Sequence, residues 1–185
     1  MKNPKLASRY AQALYDFSVQ NGDVETVYQD VLQLQEVLST NKELKTVLES
    51  PIVSQDKKQN ITKEIFQKHL NEITYRFFLL IIKKRREPQL LLICTQFIKI
   101  YYKNHNIKEA HITSAEPLSE EMANYIKSFL EKDSPYTYII HLSVNQKIIG
   151  GLVIQIDDFY YDASIHAKIN KLKAEFSQNK YAAAF

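Results

Sequence analysis

Apolar residues recur at helical spacing up to about residue 105 and at strand spacing beyond it, so the chain predicts an all-α part followed by an α/β part. Asn3 can cap a first helix with Pro4 at its opening position, where the N–H that proline lacks is not needed. Leu6, Tyr10, Ala13, Leu14 and Phe17 then share one stripe, and Ala7, Ala11 and Tyr15 make a second apolar flank. That is more apolar surface than one contact needs. Asn21-Gly22 ends this helix, Asp23 is expected to cap the next, and Val24, Val27, Val31, Leu34 and Leu38 form a single face. A short helix with Leu44, Val47 and Leu48 stops at Ser50-Pro51. Ser54 or Asp56 opens a fourth, with Ile61 and Ile65 expected inward and Lys57, Lys58 and Lys63 outward. From Phe77 through Ile82 every residue is apolar, so a helix there has no polar face and needs cover all round, from its own neighbours if it is central and otherwise from a partner. After Pro88 a last helix carries Leu91, Cys94, Phe97, Ile98, Tyr101 and Tyr102. The expectation is a six-helix bundle over residues 1–105.

The period then changes. Ala110, Ile112 and Ser114 alternate along a strand, and Ser119 opens a helix expected to bury Met122, Tyr125, Ile126, Phe129 and Leu130. Tyr136 to Val144 alternates as a second strand. Leu152, Ile154 and Ile156 alternate in a third, the Asp157-Asp158 turn leads into a short return strand from Phe159 to Tyr161, and Asp162 or Ser164 can cap a helix with Ile165, Ile169, Leu172 and Phe176 on one face. Residues 106–185 are therefore read as a small α/β domain in the order strand, helix, strand, strand, helix. Two of the three glycines in the chain, Gly150 and Gly151, stand together where this hairpin begins, which predicts a bend, a positive φ or a close backbone approach. The tail after Phe176 has no burial pattern.

Composition narrows the classes. A chain that is 45% hydrophobic and 24% charged is an ordinary globular protein, and a net charge of +3 with interspersed signs does not point to nucleic acid. One cysteine, Cys94, excludes an internal disulfide and fits a reducing compartment. No apolar run approaches the roughly 18 residues of a membrane span, and the opening MKNPKLASRYAQALY lacks the apolar core of a signal peptide. The protein is expected to be bacterial and to work in the compartment where it is made.

The chemistry of an enzyme is hard to find. Neither GxxxxGK[ST] nor GxGxxG can be written from this chain, so no glycine-rich phosphate loop and no cofactor are expected. The histidines are scattered, without the i, i+4 pairing of a helical zinc site. Asp157, Asp158, Asp162 and His166 read as turn carboxylates and a helix cap before they read as a metal or acid–base cluster. Cys94 reads as a small core residue. Lys83 to Arg86 is the one dense basic run, and at a helix C-terminus it answers the exposed carbonyls.

The stretch from Ile148 to Leu172, with Ile149, Gly150 and Gly151, the Ile-Asp-Asp turn, Asp162 with Ser164, and the Ile169/Leu172 helix, resembles the C-terminal region of the delta subunit of rotary F-type ATP synthases. In mitochondria that subunit is called the oligomycin-sensitivity-conferring protein. The segment from Ala7 to Leu14 is similar to the family's first helix, and Thr113-Ser114-Ala115 with Pro117-Leu118-Ser119 to its strand-to-helix junction. Asn145-Gln146 and Ala163 stand where the family usually has Asp-Pro and Gly. The resemblance implies a non-enzymatic stator connector, peripheral to the cytoplasmic face of a bacterial inner membrane. It implies that residues 1–105 hold the N-terminal segment of an alpha subunit in a groove between the first and fifth helices, and that residues 106–185 hold the b subunits of the peripheral stalk. Transferred to this chain, the groove residues would be Ala7, Tyr10, Ala11, Leu14, Phe77, Phe78 and Ile81; burial in the bundle's own centre is the competing expectation for each. Gly150, Gly151, Asp162 and Ser164 would be structural. A small basic RNA- or ribosome-associated protein, using Lys83 to Arg86 and the tyrosine-rich strand, is the alternative.

Overall fold

The computed structural model describes residues 3–132 and 134–178, and the chain divides into two compact units, Met1–Asn104 and His105–Phe185. The first is helical: α1 (Pro4–Asn21), α2 (Val24–Thr40), α3 (Lys42–Glu49), α4 (Gln55–Phe66), α5 (Glu72–Lys83) and α6 (Leu90–Asn104). Local chemistry sets the ends. Asn3, Asn41, Ser54 and Asn71 each accept a backbone N–H from the first turn of the helix they open, and Gly22 closes α1 in the left-handed conformation. Asp23 opens α2 without such a bond.

Helix α6 is the spine of this unit, packed against both α1 and α2. The buried core of the unit includes Val27, Val31, Phe78, Ile81 and Ile82, with Ile93 and Phe97 of α6 itself. Ala7 and Ala11 have no exposed surface, and side chains that small let α1 lie close to α6. Tyr28 stacks on Tyr101 with centroids 3.9 Å apart, and the Tyr101 hydroxyl donates to Glu25. The buried Asp30 carboxylate accepts the N–H of Asn71 at 2.7 Å, tying α2 to the start of α5.

One sequence expectation is corrected here. In α4 the inward residues are Lys58, Thr62 and Phe66, while Ile65 is 40% exposed and Ile61 half-buried. The cause is a counter-charge that sequence spacing does not reveal. Glu87, in the 3-10 turn Glu87–Gln89, meets the Lys58 ammonium at 3.0 Å with both side chains buried, so the helix turns its lysine in. On α5, Phe78, Ile81 and Ile82 are buried, but Phe77 is half-buried and Leu80 is 42% exposed, so the bundle's own neighbours cover only part of the helix.

The second unit runs β1 (Ile107–Ser114), α7 (Glu120–Glu131), β2 (Thr137–Val144), a 3-10 turn at Gln146–Ile148, β3 (Leu152–Ile156), β4 (Phe159–Asp162) and α8 (Ile165–Gln178). The return strand counts in full, so there is one strand more than the expected order. Both β3 and β4 form a ladder, giving a mixed sheet in the order β2-β1-β3-β4, with β1 parallel to β2 and antiparallel to β3. Register puts Ala110, Ile112 and Ser114 beside Ile140, Leu142 and Val144 on one side and Ile156, Ile154 and Leu152 on the other. Burial on that face is complete at Ala110 and Ile112 and falls away at the edges, where Leu142, Val144, Phe159 and Tyr161 are exposed. The opposite face is mixed: Val153 is buried beside Thr113, while His111 stacks on His141 and Thr113 hydrogen-bonds Ser143. Residues 179–185, which hold most of the tail, lie outside the described residues.

Removing one partner of the Lys58–Glu87 pair strands a buried charge. Lys58→Met is expected to lower the stability of the helical unit by about 3 kcal/mol, and the double variant Lys58→Met/Glu87→Leu to recover most of that loss, both read from urea unfolding followed by circular dichroism.

Candidate functional site

Helix α1 has two apolar stripes about a quarter-turn apart. Ala7, Ala11, Leu14 and Ser18 face inward and are buried, whereas Leu6, Tyr10, Ala13 and Phe17, at i, i+4, i+7 and i+11, line the outward side. Helix α5 repeats the arrangement, with Thr74, Phe78, Ile81 and Ile82 buried and Ile73, Phe77 and Leu80 along an outward stripe. The two stripes meet edge to face at Tyr10 and Phe77, with ring centroids 6.4 Å apart. They form one apolar strip, reaching 52% exposure at Phe17 and 42% at Leu80.

Of the seven residues expected to line a groove, Ala7, Ala11, Leu14, Phe78 and Ile81 lie inside the unit at 0–3% exposure, and Tyr10 and Phe77 reach the surface. The difference is one of helical phase. Leu6, Ala13, Phe17, Ile73 and Leu80 are the accessible neighbours that sequence reasoning did not select. The signal was present in the i, i+4, i+7, i+11 run on α1, but spacing alone does not say which of two apolar stripes faces in.

A second surface lies in the α/β unit. On α7 only Ile126 is buried, while Met122 is 47%, Tyr125 66% and Phe129 67% exposed, contrary to the expected inward face. On α8 the stripe Ile165, Ile169, Leu172 and Phe176 is 37% to 76% exposed. This helix packs chiefly against the short 3-10 turn at Gln146–Ile148, and so one end of it is anchored while its apolar face is left open. The spacing of four, three and four residues is that of a coiled-coil seam.

The anchor is built from the glycine pair and the cap. Gly151 has φ +79°, and a Cβ placed on it would stand 2.4 Å from the carbonyl oxygen of Ala163. Gly150 has an ordinary φ, and its added Cβ would meet only the far end of the Ile165 side chain at 2.7 Å. Ile149 also adopts a positive φ, +68°, an unusual conformation for a β-branched residue. The close approach lets the Ile165 N–H reach the Gly150 carbonyl and the Ala163 N–H reach that of Leu152, both at 2.9 Å. Ser164 accepts the Ala167 N–H at 3.1 Å, and the Asp162 carboxylate accepts the N–H of Ser164 at 2.9 Å. Hydrogen bonding from Ser164, side chain and backbone, holds the Asp162 carboxyl below its ordinary pKa, aided by His166.

The candidate chemistry elsewhere is structural. Asp157 pairs with Lys108 at 3.0 Å. Burial pushes the Cys94 thiol up to about 12, so it is not a poised nucleophile. Among the described residues no cluster of His, Cys, Asp and Glu is arranged to hold a metal ion, and no helix is long and apolar enough to cross a membrane.

The family model for the ATP synthase delta (OSCP) subunit matches residues 6–176. The chain belongs to that family. The ATP synthase subunit delta of Salinibacter ruber is 35% identical over 172 residues, covering 93% of this chain and 90% of that protein. The same subunit of Cytophaga hutchinsonii is 31% identical over 178 residues, covering 96% and 97%. In fold the chain resembles one in a solved mitochondrial ATP synthase hexamer of Toxoplasma gondii, with a TM-score of 0.71 at 18% identity over 93% of this chain and 97% of that one. As a delta/OSCP subunit it is a non-catalytic connector in the stator of a rotary F-type ATP synthase. The family match lends no support to an RNA- or ribosome-associated role.

The contrast between the two glycines gives a direct test of the anchor. Gly151→Ala is expected to cost more than about 1 kcal/mol and to lower the melting temperature of the α/β unit by several degrees. Gly150→Ala, which displaces only a methyl group of Ile165, should lower it less; differential scanning calorimetry of the full chain distinguishes them.

Proposed function

We propose that the helical unit grips the N-terminal segment of an alpha subunit as an amphipathic helix laid along the α1/α5 strip, and that the α/β unit holds the C-terminal end of the b subunits. Under this reading the first unit serves the catalytic head and the second serves the peripheral stalk, at the cytoplasmic face of a bacterial inner membrane. The observation that carries the first half is the joining of two outward apolar stripes at Tyr10 and Phe77. Such a strip takes a helix by its i, i+4, i+7 anchors. The second half rests on the uncovered α8 seam, whose spacing suits a partner helix.

The mechanical reason for two such surfaces follows from rotation. The rotor drags on the catalytic head, and a head that is not tied to the stalk would turn with it and dissipate the ion gradient without making ATP. The tie must therefore release slowly. Affinity near nanomolar corresponds to about 12 kcal/mol, which buried aromatic and aliphatic anchors can supply.

Phe77→Asp or Tyr10→Asp, each at a partly exposed position, should leave the protein folded and weaken binding of a peptide from the alpha N-terminal segment by at least tenfold in calorimetry. Unchanged affinity would rule out the strip as the head contact. Leu172→Asp should leave that affinity intact and reduce recovery of b subunits when the tagged protein is isolated from detergent-solubilised membranes.

A further inference from the structure

The strip between α1 and α5 has a charge polarity along its length. The two helices run antiparallel: Tyr10 meets Phe77 at their middles, and the Asn3 N–H donates to Gln89 just beyond the end of α5 at 2.9 Å. Lys84 lies seven residues past Phe77 and Asn3 seven residues before Tyr10, about 10 Å in the same direction, so the start of α1 and the end of α5 share one end of the strip.

On α1, and on α5 with the turn that follows it, the exposed charges at that end are all cations; the nearest acids are Glu49 and Glu87, which line the cavity beside Arg85, Glu87 being buried against Lys58. No acidic residue occurs from Pro4 to Tyr15 or from Ile73 to Arg86, while Lys5, Arg9, Lys83, Lys84, Arg85 and Arg86 are all exposed. Lys84 falls at i+11 of the stripe begun by Ile73, Phe77 and Leu80, directly in line with the apolar anchors. Arg9 flanks the other stripe between Leu6 and Ala13. None of these cations has an ion pair among the described residues. The basic run is also held in place. Arg85 takes φ +54°, and the N–H groups of Arg85 and Arg86 close back on the carbonyls of Ile82 and Ile81, a helix stop that prevents the run from fraying away from α5. The acids, Asp16 and Glu72, stand at the opposite end.

We infer that the helix seated on this strip carries acidic side chains at the end lying over Lys84 and Arg9, and that this charge match sets the direction in which it lies. The inference rests on the proposed use of the strip for the alpha N-terminal segment and adds what that use leaves open. Apolar anchors spaced at three and four residues accept a helix in either direction; an end with six unpaired cations does not.

The test uses the full chain and two synthetic peptides of equal length. One is the alpha N-terminal segment; the other has its acidic residues replaced by glutamine, and each carries a photo-cross-linking group at that end to report which end of the strip it reaches. The natural peptide should bind about five- to tenfold more tightly at low salt, with the difference shrinking as salt is added. Arg9→Glu/Lys84→Glu should remove or reverse the preference, and Arg9→Gln/Lys84→Gln should reduce it, with circular dichroism reporting that each variant is folded. Equal affinity of the two peptides for the parent protein, with binding still abolished by Phe77→Asp, overturns the charge match and leaves the strip in place. Binding that survives Phe77→Asp overturns the strip itself.

Discussion

Helix α1 turns its alanines, with Leu14 and Ser18, into the helical unit, while Tyr15 beside them packs on Phe97 of the spine. Ala7 and Ala11 have no exposed surface, and that choice of face decides where everything else on the helix points. Leu6, Tyr10 and Phe17 are carried round to the outward side, where Phe77 of α5 meets Tyr10. A larger residue at either alanine would hold the two helices apart and disturb the phase of both stripes. The outward strip is thus a by-product of a close internal contact.

The α/β unit reaches the same end by a different route. Its sheet has a buried middle at Ala110 and Ile112, but two helices of modest length do not cover the edges. Small domains bury a smaller share of their surface than large ones, and here the shortfall is gathered on α7 and α8. Exposed aromatic and aliphatic side chains arranged in stripes, in place of a scatter of single residues, are what an interaction surface requires.

Much of the fold was legible from the chain. Caps such as Asn3, Ser54 and Ser119 and the switch from period 3.6 to period 2 are local signals, and they placed the helices and strands. What spacing could not supply was rotation about each helix axis. Lys58 turns inward because Glu87 is waiting 29 residues away, and Ile65 turns outward as a consequence. Met122, Tyr125 and Phe129 have the pattern of a buried face and lack the neighbours to bury them. The groove residues suffered the same ambiguity, since Leu6 and Ala7 differ by one position, about a quarter-turn, yet one is half-buried and the other has no exposed surface. Nor did the glycine pair announce its asymmetry: Gly151 is bound by a backbone oxygen and Gly150 only by a movable methyl.

The junction that seats α8 also determines how a load on that helix would travel. Its first turn is bonded to the Gly150 carbonyl, the residue before it is capped by Asp162, and Ala163 is bonded to Leu152. Strand β3 in turn is laddered on both sides, to β1 and to β4. Tension applied along α8 therefore enters an interior strand, where ladder bonds on its two flanks resist sliding together instead of parting one after another. The sheet acts as a rivet plate, and the glycine that allows the helix to sit so near it is what keeps the lever arm short.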